Sequence, residues 1–418
     1  MQARWVRAFQ LAAGGTVLLR GGIVGANFAI MVFLAAQMGF TAFGELAFAW
    51  GAVMVLATVV SCGGPLVLLR ALTDGSGMGG WRIACFALIW PAGLTGLIWL
   101  PLQSLWPLPP WGVILAAAVA VNLLSCLASV VRALGYVQTS MVLRDGVPQL
   151  TLLSAWMLLS TPDAAGVLWL AAMLMLGLGL LGGAACLVAL RGKAADRHVP
   201  SDAPALWATS ILGGGVAQMD IVVGGLLMAP EVLGIYAILR RVANLVALPV
   251  SVATWVSAAE ISAAKGAEDI QNLQNASAAG SRVAFTAGAV LFALGLMSIP
   301  LLHLVLPAVA GAMPQAVFLV LLCAAFGQVW FASGYTVATL CGLGRETVMA
   351  RGTALMIYLG SVGLLSTALS PALNAALYGC AITASSVLLW WRLKGLLGVD
   401  TSAGVLWPGK EGEAWKPS

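Results

Sequence analysis

Apolar residues run almost unbroken for about 20 positions at a time along the whole chain, and short polar patches separate the runs. A helix needs about 20 residues to cross the hydrocarbon of a bilayer, so each run predicts one span. Twelve are predicted, at about 14–37, 46–69, 83–105, 112–134, 141–160, 166–190, 205–228, 233–258, 283–306, 315–340, 352–370 and 374–391. Helices satisfy their own backbone groups, which lipid does not. The pattern predicts an all-α polytopic membrane protein.

Composition sharpens this: 61% of the residues are hydrophobic and 8% charged, more apolar surface than a soluble domain of this length can bury. The few charges fix an orientation, because Lys and Arg near span ends resist translocation. Arg4 and Arg7, Arg70 and Arg82, Arg191, Lys193 and Arg197, Lys265 and Arg282, Arg345 and Arg351, and Arg392 and Lys394 all fall on one side of the predicted spans. The opposite loops, around Phe40, Pro109, Asp163, Pro230, Val309 and Pro371, hold none. Both termini are thereby expected in the cytoplasm.

The net charge of +5 follows from this bias, so no nucleic-acid partner is expected. Seven scattered cysteines without a CxxC pair indicate neither a disulfide framework nor zinc. His198 and His303 are too far apart in the chain for a triad or a metal site, and no GxxxxGK[ST] is present. No cofactor or metal is expected. The basic start MQARWVRAFQLAAGG continues past Arg20 to Gln37, which suits a retained span better than a cleaved signal. No stretch between spans exceeds about 25 residues, too short for a catalytic domain, so the chain is not expected to be an enzyme.

The two halves repeat. Residues 38–47 read MGFTAFGELA and 228–237 read MAPEVLGIYA; Ala133-Leu134-Gly135 and Gly342-Leu343-Gly344 match at the ends of spans four and ten. The polar linker RGKAADRHVPSDAP at 191–204 divides an N-terminal six-helix lobe (1–195) from a C-terminal one (196–395), and 396–418 is left as a cytoplasmic tail. Because six is even, the lobes form a parallel repeat about an axis along the membrane normal. The loop at 259–282 has the apolar spacing of a helix lying on the cytoplasmic interface.

Polar groups inside spans are the candidate site. Arg20 lies two turns into span one with Asn27 seven residues on, near a Gly21–Gly25 pair that would admit another helix. Gln218 and Asp220 sit near mid-depth of span seven. Span eight carries Arg240, Arg241 and Asn244, with Pro249 able to kink it. Arg20 either snorkels to the interface or serves a ligand. Asp220 either neutralises an arginine or acts in transport. The Arg240–Arg241 pair favours function, since adjacent cations point about 100° apart and one partner cannot satisfy both. Arg132 and Arg144, near the cytoplasmic surface, read as anchors.

The runs Leu19-Arg20-Gly21, Phe43-Gly44 and Gly63-Gly64-Pro65-Leu66-Val67-Leu68-Leu69-Arg70 resemble the start of Wzx-like polysaccharide and O-antigen flippases, of the multidrug/oligosaccharidyl-lipid/polysaccharide exporter superfamily. Asp220 to Tyr236, with Gly234-Ile235-Tyr236 and Arg240, resembles the start of that family's second half. The resemblance implies a carrier in the bacterial inner membrane that turns over undecaprenyl-diphosphate-linked oligosaccharides through a cationic cavity between two lobes. It implies that Arg20, Arg240 and Arg241 receive the diphosphate and that Asp220 couples an ion gradient or gates the lobes. Asn27, Gln218, Asn244 and Gln328 would bond sugar hydroxyls. The implied partners are the lipid-linked glycan, membrane lipids and the polysaccharide polymerase machinery.

Two other readings compete. A multidrug/cation antiporter of the same superfamily would line its cavity with acids, whereas here three cations stand against one acid. A lipid-linked glycan polymerase would need acidic residues in a long outer loop, and no loop is long enough.

Overall fold

The computed structural model describes residues 2–73, 79–107, 109–159, 163–189, 203–301 and 312–406. The linker at 190–202, with Arg191, Lys193, Arg197 and His198, lies outside the described residues, as do His303, Val309 and the tail beyond 406. Among the described residues every regular element is helical. In chain order these are α1 (Gln2–Val60), α2 (Gly64–Thr73), α3 (Gly80–Leu105), α4 (Trp111–Ala133), α5 (137–158) and α6 (Ala164–Ala189). There follow α7 (Ala203–Leu227), α8 (Pro230–Asn244), α9 (Leu248–Gly266), α10 (Ile270–Ser298), α11 (Ala312–Trp330), α12 (Gly334–Leu340), α13 (Gly344–Leu365) and α14 (Pro371–Leu397).

By length and composition, nine of the described helices can cross a membrane, or ten when the bent pair α11–α12 counts as one. The protein is therefore a multi-pass membrane protein. Two features separate this number from the predicted twelve. Leu18–Val60 counts once, yet Gly39 interrupts it with φ 77° and ψ 161°, a conformation open only to a residue without Cβ. The other is α5, which carries Arg144, Asp145 and Gln149 and is not among the nine.

Contacts divide the chain into two compact units, the first comprising Met1–Gly225 with Ala229–Gly234, the second Leu226–Met228 with Ile235–Ser418. This line falls after the seventh span, whereas the linker in the sequence falls before it.

In the first unit α4 is the hub, packed against α1, α2 and α6. Its Ala- and Val-rich surface admits close neighbours: a Cβ at Gly179 of α6 would lie 2.7 Å from Leu123, and one at Gly182 2.6 Å from Leu127. The second half of α1 packs along α7, where Trp207 Nε1 donates to the carbonyls of Thr58 (3.2 Å) and Val59 (2.9 Å). The repeated segments themselves meet. A side chain at Gly44 would strike the Pro230 carbonyl, and one at Gly234 would strike the Phe40 carbonyl, so each glycine faces the residue four before the other. Gly21 and Gly25, expected to admit a helix, have nothing within 4 Å of a built Cβ.

In the second unit α9 packs on α10, and α14 on both α11 and α13. Pro249 acts as expected: a 3-10 turn, Leu245–Ala247, ends α8, and α9 restarts with the proline in its first turn. The surface helix expected at 259–282 is not a separate element. The segment is the end of α9 and the start of α10, divided at Glu268 (φ 55°) and restarted by Asp269, whose carboxylate accepts the Asn272 N–H at 2.9 Å. Its apolar residues, Ile261, Ala264, Leu273 and Ala276, pack into a cluster with Val337, Ala350, Leu389 and Val399 rather than against lipid.

Candidate functional site

Two helices of the first unit contain π-turns, at Cys85–Ile89 in α3 and Val142–Gly146 in α5. A π-turn widens the helix and leaves carbonyls in need of donors. Asn122 of α4 serves the first, its Nδ2 donating to the carbonyls of Ala87 (3.1 Å) and Phe86 (3.3 Å). Asn27 of α1 serves the second, donating to the Asp145 carbonyl at 2.8 Å. One amide donor of Asn27, expected to face sugar, is thus given to the backbone.

Arg20 lies on the same helix, half-buried, and its charge acts together with that of Arg144 on Arg132. Arg144 pairs with Asp145 at 3.4 Å. The structure therefore groups Arg20 with the two arginines read from sequence as interface anchors. In α7, Asp220 is wholly buried and Gln218 half-buried.

The second unit holds the other cations. Arg240 is only 7% exposed; its Nη2 donates to Tyr378 Oη at 2.8 Å, and its guanidinium carbon lies 4.7 Å from the centre of that ring. Arg241 is half-buried within range of the Arg240 charge, and Asn244, at the end of α8, is exposed. Gln328 is half-buried beside the α11–α12 break, where its carbonyl accepts the Phe331 N–H at 3.2 Å. One turn before Tyr378 on α14, the buried Asn374 accepts from Tyr358 Oη at 2.5 Å. Tyr378, Asn374 and Tyr358 escape a reading based on charge. A compositional signal was present: four of the chain's five tyrosines, at 236, 335, 358 and 378, fall in its second half.

Arg20 and Arg240 are thus held differently, the first half-buried within α1 among other basic residues, the second deep against an aromatic ring.

No family model and no curated protein matches the sequence. Solved structures do match. A MATE transporter in the straight conformation aligns with TM-score 0.63 and 12% identity, covering 92% of this chain and 95% of its own. An outward-facing multidrug resistance MATE family transporter of the MOP superfamily aligns at 0.62 and 13%, covering 91% and 94%. The Vibrio cholerae MATE transporter VcmN in the bent form aligns at 0.59 and 15%, covering 93% and 96%. The chain has the fold of the MATE transporters over nearly its whole length.

Proposed function

We propose that the chain is a flippase of the bacterial inner membrane that moves an undecaprenyl-diphosphate-linked oligosaccharide to the outer leaflet during surface-polysaccharide synthesis. The observation that carries this is Arg240: a guanidinium buried in a membrane helix, held by the Tyr378 hydroxyl and ring and followed directly by a second arginine, brings together two donors of the kind that bind phosphate oxygens. Arg240 and Arg241 receive the diphosphate, and Arg20, beside Arg132 and Arg144, forms a second basic station. Asn27, Gln218, Asn244 and Gln328 supply hydrogen bonds to sugar, and Asp220 couples or gates. The chain crosses twelve times from cytoplasm to cytoplasm: Gly39 divides Leu18–Val60 into two spans and α5 adds another. Its halves, 1–195 and 196–395, are parallel repeats, and it acts as a carrier rather than an enzyme, beside the polymerase machinery.

Complementation of a flippase-deficient strain tests this. Arg240→Ala and Arg241→Ala should insert at near-normal levels and lose export of the lipid-linked glycan, with Lys rescuing in part because it lacks the planar fork. Normal export by both alanine variants ends the proposal. A multidrug antiporter is the second reading, favoured by the wholly buried Asp220 and by the transporters that share the fold. It predicts drug resistance that is lost in Asp220→Asn and kept in Arg240→Ala.

A further inference from the structure

The helix α14 ends at Gly398, whose left-handed backbone (φ 69°) reverses the chain. Residues 399–403 then run back into the second unit. Segments after a last helix usually fray; here Val399 and Thr401 are 0% exposed and Ala403 1%. Val399 fills the apolar cluster with Ile261, Leu273 and Leu393. Gln274 reads the backbone of Asp400 on both sides, donating to its carbonyl at 2.9 Å and accepting its N–H at 2.7 Å. The Asp400 carboxylate accepts from Trp390 Nε1 at 2.8 Å and Ser402 Oγ at 2.7 Å, with Lys394 Nζ at 3.4 Å.

Thr401 carries the strap to the bend in the neighbouring helix. Its carbonyl accepts from Ser281 at 3.2 Å and from Ser333 at 3.3 Å, and Ser333 also bonds Ser277 and Ser281. Ser333 lies in the break between α11 and α12, whose axes differ by 43°. The Ser333–Gly334 pair makes the helix weak at this point, but no proline lies between 315 and 340 to impose a bend. A weak point allows several geometries. Thr401 selects one: its Oγ1 lies 3.4 Å from where a Cβ on Gly334 would be, so the strap fills the space beside the break.

We infer that residues 399–403 are a releasable latch that holds α11–α12 bent, and that their departure lets this span straighten. The bonds that seat the strap are mostly neutral hydrogen bonds, each exchangeable with water, and one end of the segment is attached only through Gly398. Among the described residues, the latch is seated by α9, α10, α14 and the α11–α12 pair, all of the second unit.

The test places spin labels at Leu319→Cys and Thr339→Cys, both exposed and on either side of the break, in a cysteine-free chain. Double electron–electron resonance should give one narrow distance in the full chain and a longer one in a chain ending at Gly398. An inserted, monodisperse truncated chain with the full-length distance would mean that Ser333–Gly334 alone sets the bend, and the inference fails. Should truncation prevent insertion, Gln274→Ala with Asp400→Asn replaces it, and a single label at the exposed Gly404 reports release of the strap by its sharpened spectrum. Release with a lengthened 319–339 distance supports the latch. Release without that change overturns it, as does a strap that stays seated once both anchors are gone.

Discussion

Each unit has helices that depart from the α ladder, and each mends them differently. In the first, the π-turns of α3 and α5 receive amide donors from Asn122 and Asn27, side chains fixed midway along neighbouring helices. In the second, the α11–α12 break receives hydroxyls and the carbonyl of a strap that follows the last helix. An amide fixed midway along a packed helix can leave its carbonyl only by a rotamer change that leaves a carbonyl unpaired, or by parting two packed helices. A strap leaves alone. Irregularity in the first unit is therefore built in, whereas in the second it is conditional.

The largest expected effect tests how rigid the first unit is. Gly44→Leu drives a side chain into the Pro230 carbonyl, where backbone has no rotamer by which to yield, and should cost about 3 kcal/mol or prevent folding. Gly21→Leu and Gly25→Leu, with open space around them, should leave the thermal midpoint in detergent unchanged. Equal losses at all three positions would erase the distinction.

Removing the amides is the next step down. Asn122→Leu deprives two carbonyls of their donor and should cost about 2 kcal/mol, whereas Asn27→Leu, serving one carbonyl at a more open site, should cost about 1 kcal/mol. Thermal midpoints of the purified variants check the order, and an unchanged midpoint for Asn122→Leu would show that its π-turn needs no donor.

The smallest effect concerns acid. Burial pushes the Asp400 carboxyl up, but the hydrogen bonds from Ser402 and Trp390 and the charge of Lys394 outweigh it and hold the group below its ordinary value. A folded value below the unfolded one adds stability above the ordinary carboxylate range, and that addition is lost as pH falls through the folded value. Strap mobility, read from a label at the exposed Gly404, should be constant near neutrality and rise only below about pH 4. In Asp400→Asn that acid-dependent rise should vanish.

Apolar run length made the membrane class and most helix positions legible, because lipid leaves the backbone almost no choice but helix. Pro249 was legible for the same kind of reason, a ring that removes an N–H. Less visible were features set by partners distant in sequence. The apolar spacing at 259–282 reads as an interfacial face, and nothing local says that Val337 and Leu389 cover it. The sequence after Gly398 has the polarity of a loose tail, yet Gln274 and Ser281, over a hundred residues earlier, bury it. Among candidate site residues, charge singled out Arg240 but not Tyr378, since a tyrosine in a membrane helix is too ordinary to mark itself as the partner of a buried arginine.

The reciprocal meeting of Gly44 and Gly234 bears on how the two repeated segments are able to diverge. Elsewhere in MGFTAFGELA and MAPEVLGIYA the aligned side chains differ, Thr41 matching Glu231 and Glu45 matching Ile235 in sequence. At the glycines drift is blocked from both sides, because the space that a side chain would need at one copy is filled by the main chain of the other, and main chain does not mutate. No second substitution compensates the first. At these two positions the match between the segments is one that their contact itself demands.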